Sequence, residues 1–150
     1  MVSSLPLGVI QAEGVDAASF LQGQLTHDVL LLPVGQARLA GYCSAKGRLM
    51  ASFWVLKLSP EKFILVCHAS LIAGILKRLS MFVMRAKAKL TDASDELSLW
   101  GLAGNATKNM AAGAYPAWAK WEIEQDSVIN LYPAATVHRQ LMIRRLRQMR

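Results

Sequence analysis

The amino-acid sequence predicts an α+β fold with a largely antiparallel sheet and ferredoxin-like βαβ elements. Two extended apolar segments, 37–44 and 48–58, are separated by the tight-turn tripeptide Ala45-Lys46-Gly47, which is typical of a β-hairpin. An apolar strand that begins at Phe63 is followed by an amphipathic helix and a further strand, compatible with half of a split βαβ motif. Because strands are joined both by turns and by helices, the α+β class is favoured.

Length and composition favour a packed core. The chain has 150 residues, of which 53% are hydrophobic, whereas disordered chains have low hydrophobicity. Lysine and arginine number 17 against 10 acidic residues, for a formal net charge of +7. The excess is concentrated near the C-terminus, in Arg139, Arg144, Arg145, Arg147 and Arg150. The rest of the chain is therefore close to neutral.

Cysteine usage and hydropathy exclude several classes of protein. Cys43 and Cys67 are too few for a disulfide framework, and no further cysteine pair has the spacing of a metal site. The N-terminal residues lack a secretion signal, and the longest apolar region, 63–83, is interrupted by charged and polar residues. We therefore expect a soluble cytoplasmic chain that does not enter a membrane.

The N-terminal part of the chain predicts a strand followed by a helix. Residues 8–12 alternate weakly between apolar and polar and indicate the strand. Asp16 occupies the expected N-cap position of the helix, where a carboxylate can accept hydrogen bonds from free amides of the first turn. Phe20, Leu21 and Leu25 are expected to form the buried face of that helix.

The central part of the chain predicts a buried strand at 63–67 and an amphipathic helix at 70–84. The strand segment, F-I-L-V-C, is short and wholly apolar. In the helix, apolar residues recur at spacings of three and four and predict one buried stripe: Leu71, Ile75, Leu79 and Phe82. Further strands are expected at 86–90, 97–102, 121–123 and 128–131, with a short helix at 105–112.

The residues that carry chemistry form no catalytic signature. No local motif joins Cys43 or Cys67 to a histidine, and we expect both cysteines to be core residues. Cys67 and His68 are neighbours on a strand, so their side chains point to opposite faces. The glycine pair in 101–104 lacks the lysine and hydroxyl of a phosphate-binding loop. The sequence thus predicts neither catalytic nor metal-binding residues.

Two basic clusters are candidate anion-binding surfaces. The first lies in a window without acids between Glu61 and Asp92 and consists of Lys62, Lys77, Arg78, Arg85, Lys87 and Lys89. The second is the arginine-rich C-terminal end. Either cluster could attract a polyanion, such as RNA or the polycarboxylate tail of a ligand. A solvated helix face and an irregular terminus are the preferred interpretations, because few aromatic residues interleave with the charges.

Four short motifs occur in a specific order. G-V-D-A-A-S-F-L-Q-G-Q-L-T-H-D-V at 14–29 is followed by Y-C-S-A-K-G-R-L at 42–49. F-V-M-R-A-K-A-K-L at 82–90 and L-W-G-L-A-G at 99–104 come next. In order and spacing these motifs resemble the YgfZ-type folate-binding proteins, relatives of the glycine cleavage T-protein, an aminomethyltransferase. The resemblance covers about residues 7–112.

The resemblance implies a fold of the aminomethyltransferase folate-binding-domain type and a protein that binds tetrahydrofolate. Such proteins support the assembly or repair of iron–sulfur enzymes, including enzymes of tRNA modification. The family motif K-G-C-Y-x-G-Q-E lies beyond residue 150, so we expect residues 1–150 to form part of the folate-binding domain, with the family's C-terminal half absent. The resemblance assigns no structure or role to residues 113–150, which include the basic C-terminal end.

The resemblance also implies a set of folate-site residues: Leu7, Gln22, Gln24, Asp28 and Lys46. Leu7 is the counterpart of an aromatic residue that contacts the folate ring in some members. The polar residues at the end of the first helix and the lysine at the hairpin tip are expected to wall a pterin cleft together. Considered by their chemistry alone, Gln22, Gln24 and Asp28 are expected to accept hydrogen bonds from turn amides, and Lys46 is expected to be solvated.

Three functions from different classes are consistent with these features. The first is a folate-binding protein that serves iron–sulfur enzymes with weak or no catalysis. The second is an aminomethyltransferase of glycine-cleavage type, although Ala51 and Ser52 replace the acidic pair that helps to orient the folate amine in those enzymes. The third is an RNA-associated basic module. The resemblance also implies a ring of subdomains around a central folate channel, about twice the length of this chain. Because half of such a ring leaves sheet edges uncovered, we also expect a homo-oligomer.

Overall fold

The computed structural model describes residues 2–4, 6–34, 37–103, 123–130 and 139–146, with side chains described over 6–34 and 37–97. The chain divides into two compact units. The larger unit is Pro6–Ser94, and the smaller consists of Met1–Leu5 together with Asp95–Arg150. All of the predicted folate-site residues belong to the larger unit.

Short strands alternate with turns and helices along the described ranges. In chain order the strands are β1 (Val2–Ser4), β2 (Leu7–Glu13), β3 (Ala37–Cys43), β4 (Leu49–Ser59), β5 (Lys62–His68), β6 (Lys89–Asp92), β7 (Leu97–Ala103), β8 (Ile123–Asn130) and β9 (Arg139–Leu146). The helices are α1 (Ala17–Gln24) and α2 (Ile72–Val83), and a 3-10 turn, Ala69–Leu71, leads into α2. The predicted hairpin is confirmed as β3–β4.

The larger unit is built on one sheet of order β3-β4-β5-β2-β6, in which neighbouring strands are antiparallel. β5 and β6 both pair with β2, so they run parallel to each other with β2 between them, and α2 connects them. This is the predicted split βαβ unit. Residues 63–67 of β5 are all buried, so the strand is covered on both faces, as its wholly apolar sequence indicates. The predicted α+β class is confirmed.

Both helices pack on one face of this sheet. A continuous core joins Phe20 and Leu21 of α1 to Ile75 of α2 through Phe53 of β4. Leu25 is buried in the same core and completes the predicted face of α1. The helical spacing of these residues matches the side of α1 that contacts the sheet.

Asp16 is the N-cap residue of α1, as predicted, but its carboxylate accepts no hydrogen bond from the first turn, so that part of the prediction is wrong. No side chain caps this end of the helix. Instead, Asp16 Oδ2 accepts a hydrogen bond of 2.7 Å from the backbone amide of Lys87, and the Asp16 amide donates to the Lys87 carbonyl at 3.1 Å. The carboxylate is engaged by a residue 71 positions away, a partner that the local sequence does not show.

The buried face of α2 agrees with the predicted stripe at Ile75 and Leu79 but not at its two ends. Ile72, Ile75 and Leu79 are buried, whereas Leu71 and Phe82 of the predicted stripe are 39% and 47% exposed. Leu71 lies in the 3-10 turn, outside the α-helix. Because the buried face consists of Ile72, Ile75 and Leu79, Phe82 lies at the margin of that face, next to the turn that contains Leu71. The prediction was therefore wrong for Leu71 and Phe82.

The strand predicted at 86–90 begins later, at Lys89. The preceding residues form a turn, in which the Ala86 amide donates to the Val83 carbonyl at 2.8 Å. The next amide, that of Lys87, donates to Asp16. Amides engaged in this way are not available to a sheet ladder.

The smaller unit has a sheet of order β1-β7-β9-β8 with antiparallel neighbours. β7 confirms the strand predicted at 97–102. The residues predicted as a separate strand at 128–131 are largely the end of β8, which already begins at Ile123. The helix predicted at 105–112 and the start of the strand predicted at 121–123 lie outside the described residues.

The arginine-rich end is in part a paired strand. β9 contains Arg139, Arg144 and Arg145 and pairs with both β7 and β8. The interpretation of this segment as an irregular terminus was therefore wrong over 139–146. Between its arginines the segment contains the continuous apolar run Leu141-Met142-Ile143, which is compatible with a strand.

Both helices are short. α1 has 8 residues and α2 has 12, which correspond to lengths of about 12 Å and about 18 Å. In the described part of the chain, no helix combines the length and the apolar character needed to cross a bilayer.

Candidate functional site

Several strand ends meet at one end of the large sheet, which we call the hairpin end. It is defined by Leu7 at the start of β2, Cys43 at the end of β3, Leu49 at the start of β4 and His68 at the end of β5. The register places Leu7 opposite His68 and Cys43 opposite Leu49. Because neighbouring strands are antiparallel, the turns that follow β3 and β5 also lie at this end.

The C-terminal end of α1 is tied directly to the β3–β4 hairpin. Leu25 forms an isolated antiparallel bridge with Tyr42. The backbone amide of Thr26 donates to the Gly41 carbonyl at 3.0 Å, and Thr26 Oγ1 accepts a hydrogen bond of 2.8 Å from the Gly41 amide. The Gln-Gly-Gln segment at 22–24 and the lysine-tipped hairpin are therefore connected parts of one surface.

Gln22 and Asp28, two of the predicted site residues, stabilise the turn that follows α1. Gln22 Oε1 accepts hydrogen bonds from the amides of Val29 at 2.7 Å and Leu30 at 3.0 Å. Asp28 Oδ1 accepts one of 3.0 Å from the Leu31 amide. These bonds are the turn-stabilising role that the chemistry of the two side chains indicates. They hold the chain in the path that brings it beside the hairpin.

Leu7, Gln24 and Lys46 also lie at the hairpin end. Leu7 and Gln24 are half-buried, and Lys46 is exposed in the β3–β4 turn. That turn depends on Gly47, whose φ of +76° is readily adopted only by glycine. The fold thus brings an apolar side chain, an amide and an ammonium group to one end of one sheet.

Thr26 was not among the predicted site residues, although it makes the two bonds that join α1 to the hairpin. Gly41 allows this approach, because a Cβ there would lie 3.2 Å from Thr26 Oγ1 and 3.0 Å from Leu49 Cδ1. Thr26 belongs to the motif at 14–29, and this membership is the feature of the sequence that could have identified it as a site residue. Its role depends on a partner 15 residues away.

An apolar groove beside α2 is a second feature that the sequence interpretation missed. It has a volume of about 570 Å³ and lies between Met50 of β4 and the edge of α2 that carries Leu71, Met81 and Phe82. The groove was not predicted because Leu71 and Phe82, which line it, were expected to be buried in the core. Pockets of this size are large enough to receive a ligand or a partner segment.

The cysteines form no nucleophilic arrangement with their neighbours. Cys67 is buried, as predicted, and burial raises the pKa of its thiol to about 11. The exposed His68 ring lies on the other side of the strand, with Nδ1 2.8 Å from Ser70 Oγ. Cys43 is only half-buried, contrary to the expectation of a core residue. Over the described ranges, no three histidine, cysteine or carboxylate side chains converge as metal ligands would.

Stability is expected to fall through Cys67 as the pH rises from about 9 to about 11. The unfolded thiol ionises with its ordinary pKa of 9.0, whereas the folded thiol has a pKa of about 11. Over this window the unfolded chain binds fewer protons than the folded one, so higher pH favours unfolding. Urea unfolding of the parent and of Cys67→Ala across this range measures the effect. Equal pH slopes for the two proteins would contradict the prediction.

Comparison with known proteins places this geometry in context. A family model described as the GCVT N-terminal domain matches residues 2–123. The tRNA-modifying protein YgfZ of Photorhabdus laumondii is 28% identical over 143 residues, covering 90% of this chain and 42% of the relative. The protein of the same name from Edwardsiella ictaluri is 33% identical over 108 residues, covering 71% of this chain and 32% of the relative. The resemblance inferred from the motifs is confirmed.

A solved structure confirms the fold type that the resemblance implies. Glycine cleavage system aminomethyltransferase T from Bartonella henselae superposes with a TM-score of 0.78 over 95% of this chain and 41% of that protein, at 17% identity. This chain spans less than half the length of that protein and of both curated relatives. On the strength of the family model, which covers most of its residues, the chain belongs to the GCVT N-terminal domain family.

Proposed function

We propose that the chain provides part of the tetrahydrofolate site of a YgfZ-type protein, which supports the assembly or repair of iron–sulfur enzymes. The observation that carries this proposal is the connection between α1 and the hairpin. The Thr26–Gly41 hydrogen bonds hold the end of α1, with Gln24, against the hairpin that carries Lys46. Leu7 lies at the same end of the sheet. Gln24 and Lys46 thus belong to segments that are distant in sequence and connected in the fold, whereas Leu7 lies on β2, separated from β3 by β4 and β5.

The hairpin end has chemistry that suits a reduced folate. A pterin has apolar faces and a hydrogen-bonding edge, and the folate tail ends in carboxylates. Leu7 provides an apolar contact and Gln24 an amide for the ring edge, while Lys46 and Arg48 are exposed cations at the hairpin tip. Gln22 contributes indirectly, because its oxygen fixes the turn after α1.

The relation to tRNA in this proposal is indirect. Both curated relatives are named tRNA-modifying protein YgfZ. In this chain Lys62 and Lys89 lie opposite Glu13 in the strand register, at the end of the sheet away from the hairpin, whereas Lys77 and Arg78 line the groove beside α2. These members of the first basic cluster are therefore divided between separate surfaces. This division argues against direct binding of a nucleic acid along one basic strip.

Aminomethyl transfer is the enzymatic alternative, and it lacks an electrostatic partner here. Ala51 is buried in the core, and Ser52 is exposed on the other face of β4. Neither side chain supplies a carboxylate that would orient an amine. We therefore favour binding over catalysis.

We also propose that residues 1–150 form only part of the folate-binding domain, as the coverage of the relatives suggests. β3 is at the edge of the large sheet, and an edge strand favours pairing with another chain. Formation of a homo-oligomer stays a prediction.

Titration of the purified chain with tetrahydrofolate tests the proposal, and we expect saturable binding with weak salt dependence. Lys46→Ala is expected to weaken binding by about threefold to tenfold, because an ionic hydrogen bond is lost. Leu7→Phe is expected to strengthen binding by a similar factor through ring stacking. Lys89→Ala is the matched control, since this exposed lysine lies at the opposite end of the sheet. Isothermal titration calorimetry measures all four proteins.

The same series distinguishes the alternatives. If Lys46→Ala and Lys89→Ala weaken folate binding equally, the hairpin end is not the folate site. Binding of tRNA that falls steeply between about 50 mM and about 300 mM salt, without folate binding, would favour the RNA-associated module. Release of ammonia from an aminomethyl donor in the presence of tetrahydrofolate would favour the transferase.

A further inference from the structure

One edge of α2 carries an apolar surface that neither the core nor the proposed folate site uses. Leu71 and Phe82 on this edge are substantially exposed, and Met81 is 68% exposed. Met50 of β4 forms the other side of the groove, which has a volume of about 570 Å³. We call this feature the α2 groove. Contiguous exposed apolar surface of this kind marks interaction sites in soluble proteins.

The charges around the α2 groove are of one sign. Lys77 and Arg78 line it, and no acidic residue occurs in the sequence between Glu61 and Asp92. The Nε–H of Arg78 is buried, and no acceptor for it exists among the described residues. A partner with carboxylates beside an apolar face is therefore complementary to this groove in both charge and polarity.

Gly74 keeps the floor of the α2 groove open. It lies within α2 and lines the groove, and a Cβ built on it meets no atom within 4 Å. Glycine in a helix interior costs stability relative to alanine. Neither a positive φ nor a close internal contact explains this glycine. The space it leaves suits the close approach of an external side chain.

We propose that the α2 groove binds an acidic amphipathic helix of a partner protein. The apolar face of that helix packs against Met50, Met81 and Phe82, and its carboxylates pair with Lys77 and Arg78. Methionine side chains are flexible and polarisable, so they adapt to an inserted helix. A lipid surface fits less well, because the apolar side chains line a concavity, whereas membrane binding requires an apolar face that projects into the bilayer.

A designed peptide tests this proposal. The probe is a fluorescein-labelled amphipathic helix of about 14 residues, with leucines on one face and glutamates on the other, and its length of about 21 Å matches α2. The control peptide has lysine in place of every glutamate. We expect the acidic peptide to bind saturably in fluorescence anisotropy, at least about tenfold more tightly than the basic peptide at low salt, and to weaken as salt rises.

Variants of the chain locate the binding. Gly74→Leu fills the open floor of the groove and is expected to weaken binding of the acidic peptide by about tenfold or more. Gly23→Leu is the matched control, because Gly23 lies in the other helix and also has open space around it. Met81→Glu is a second variant: it removes an apolar contact and places a carboxylate against the glutamates of the peptide, so it is also expected to weaken binding by about tenfold or more. Because Met81 is exposed, this variant tests the groove even if Gly74→Leu fails to fold. Melting temperatures of all variants are recorded.

Specific results would overturn the proposal. Equal affinity for the acidic and basic peptides would remove the charge argument, and unchanged binding in both Gly74→Leu and Met81→Glu would place the contact elsewhere. Tighter binding to phosphatidylglycerol vesicles than to the peptide, lost in Met81→Glu, would identify a lipid surface instead. Self-association in analytical ultracentrifugation that Gly74→Leu abolishes, without peptide binding, would identify a second copy of the chain as the partner.

Discussion

Replacement of Gly14 by alanine is expected to lower the free energy of unfolding by about 3 kcal/mol or more. Gly14 has a φ of +144°, a backbone conformation that residues with side chains avoid. A Cβ there would overlap the carbonyl oxygen of Lys87 and lie 3.0 Å from Ala88 Cα. Because these obstacles are backbone atoms, no rotamer change relieves the clash. The backbone at Gly14 cannot shift freely either, since the Gly14 amide donates a hydrogen bond to the Glu61 carbonyl at 2.9 Å.

Gly23→Ala is the control for this substitution. Gly23 lies in α1 with open space around its Cα, so alanine there is expected to stabilise the protein by about 0.5–1 kcal/mol through helix propensity. Urea unfolding followed by circular dichroism compares both variants with the parent. A Gly14→Ala protein with the same unfolding midpoint as the parent would show that position 14 tolerates a side chain and would contradict the prediction.

Phe53→Ala is expected to lower the free energy of unfolding by about 3–5 kcal/mol. Phe53 is fully buried in β4 and belongs to the core that joins both helices to the sheet. Truncation removes the ring from that core and leaves a cavity that the surrounding strands fill only in part. Because β4 carries one arm of the hairpin, loss of this packing is also expected to loosen the hairpin end. Urea unfolding at constant pH measures the change.

Two further substitutions in β4 serve as controls. Ser52→Ala changes an exposed neighbour on the opposite face and is expected to alter stability by no more than about 0.5 kcal/mol. Phe53→Leu keeps most of the apolar volume and is expected to cost less than Phe53→Ala. If Ser52→Ala and Phe53→Ala have equal effects, the core does not depend on the aromatic ring.

The strands and the hairpin could be predicted because their signals are local. Residues 63–67 are apolar without interruption, and a strand buried on both faces is the element that such a run forms. Gly47 supports the tight turn between β3 and β4 through its positive φ. The split βαβ unit followed from the order of these elements, since few topologies connect them without crossing.

Predictions failed where the partner of a residue is determined by tertiary contacts and not by the local sequence. Asp16 has the chemistry of an N-cap, but its carboxylate binds the Lys87 amide. Leu71 and Phe82 have helical spacing with Ile75, yet the buried face consists of Ile72, Ile75 and Leu79. Both outcomes depend on how α1 and α2 meet the rest of the larger unit. Spacing within one helix does not contain that information.

The motifs named the candidate folate-site residues, and the structure shows how the segments that carry them are connected. Gln22, Gln24 and Lys46 are visible in the motifs, but the hydrogen bonds that join their segments are not. The Thr26–Gly41 hydrogen bonds and the Leu25–Tyr42 bridge connect the end of α1 to the hairpin. The motif at 14–29 pointed to Thr26 without revealing what it does.

By itself, the sequence determined the class of the fold, the main elements of its larger unit and the family to which the chain belongs. Those features arise from turn chemistry, apolar periodicity and motif order, which act over a few residues at a time. Only the tertiary structure decided that Gln22 and Asp28 stabilise a turn, that Thr26 connects α1 to the hairpin, and that Leu71 and Phe82 border a groove. Each of these roles depends on contacts or hydrogen bonds with residues outside the local motif. Those partners are determined only when the helices and strands pack together.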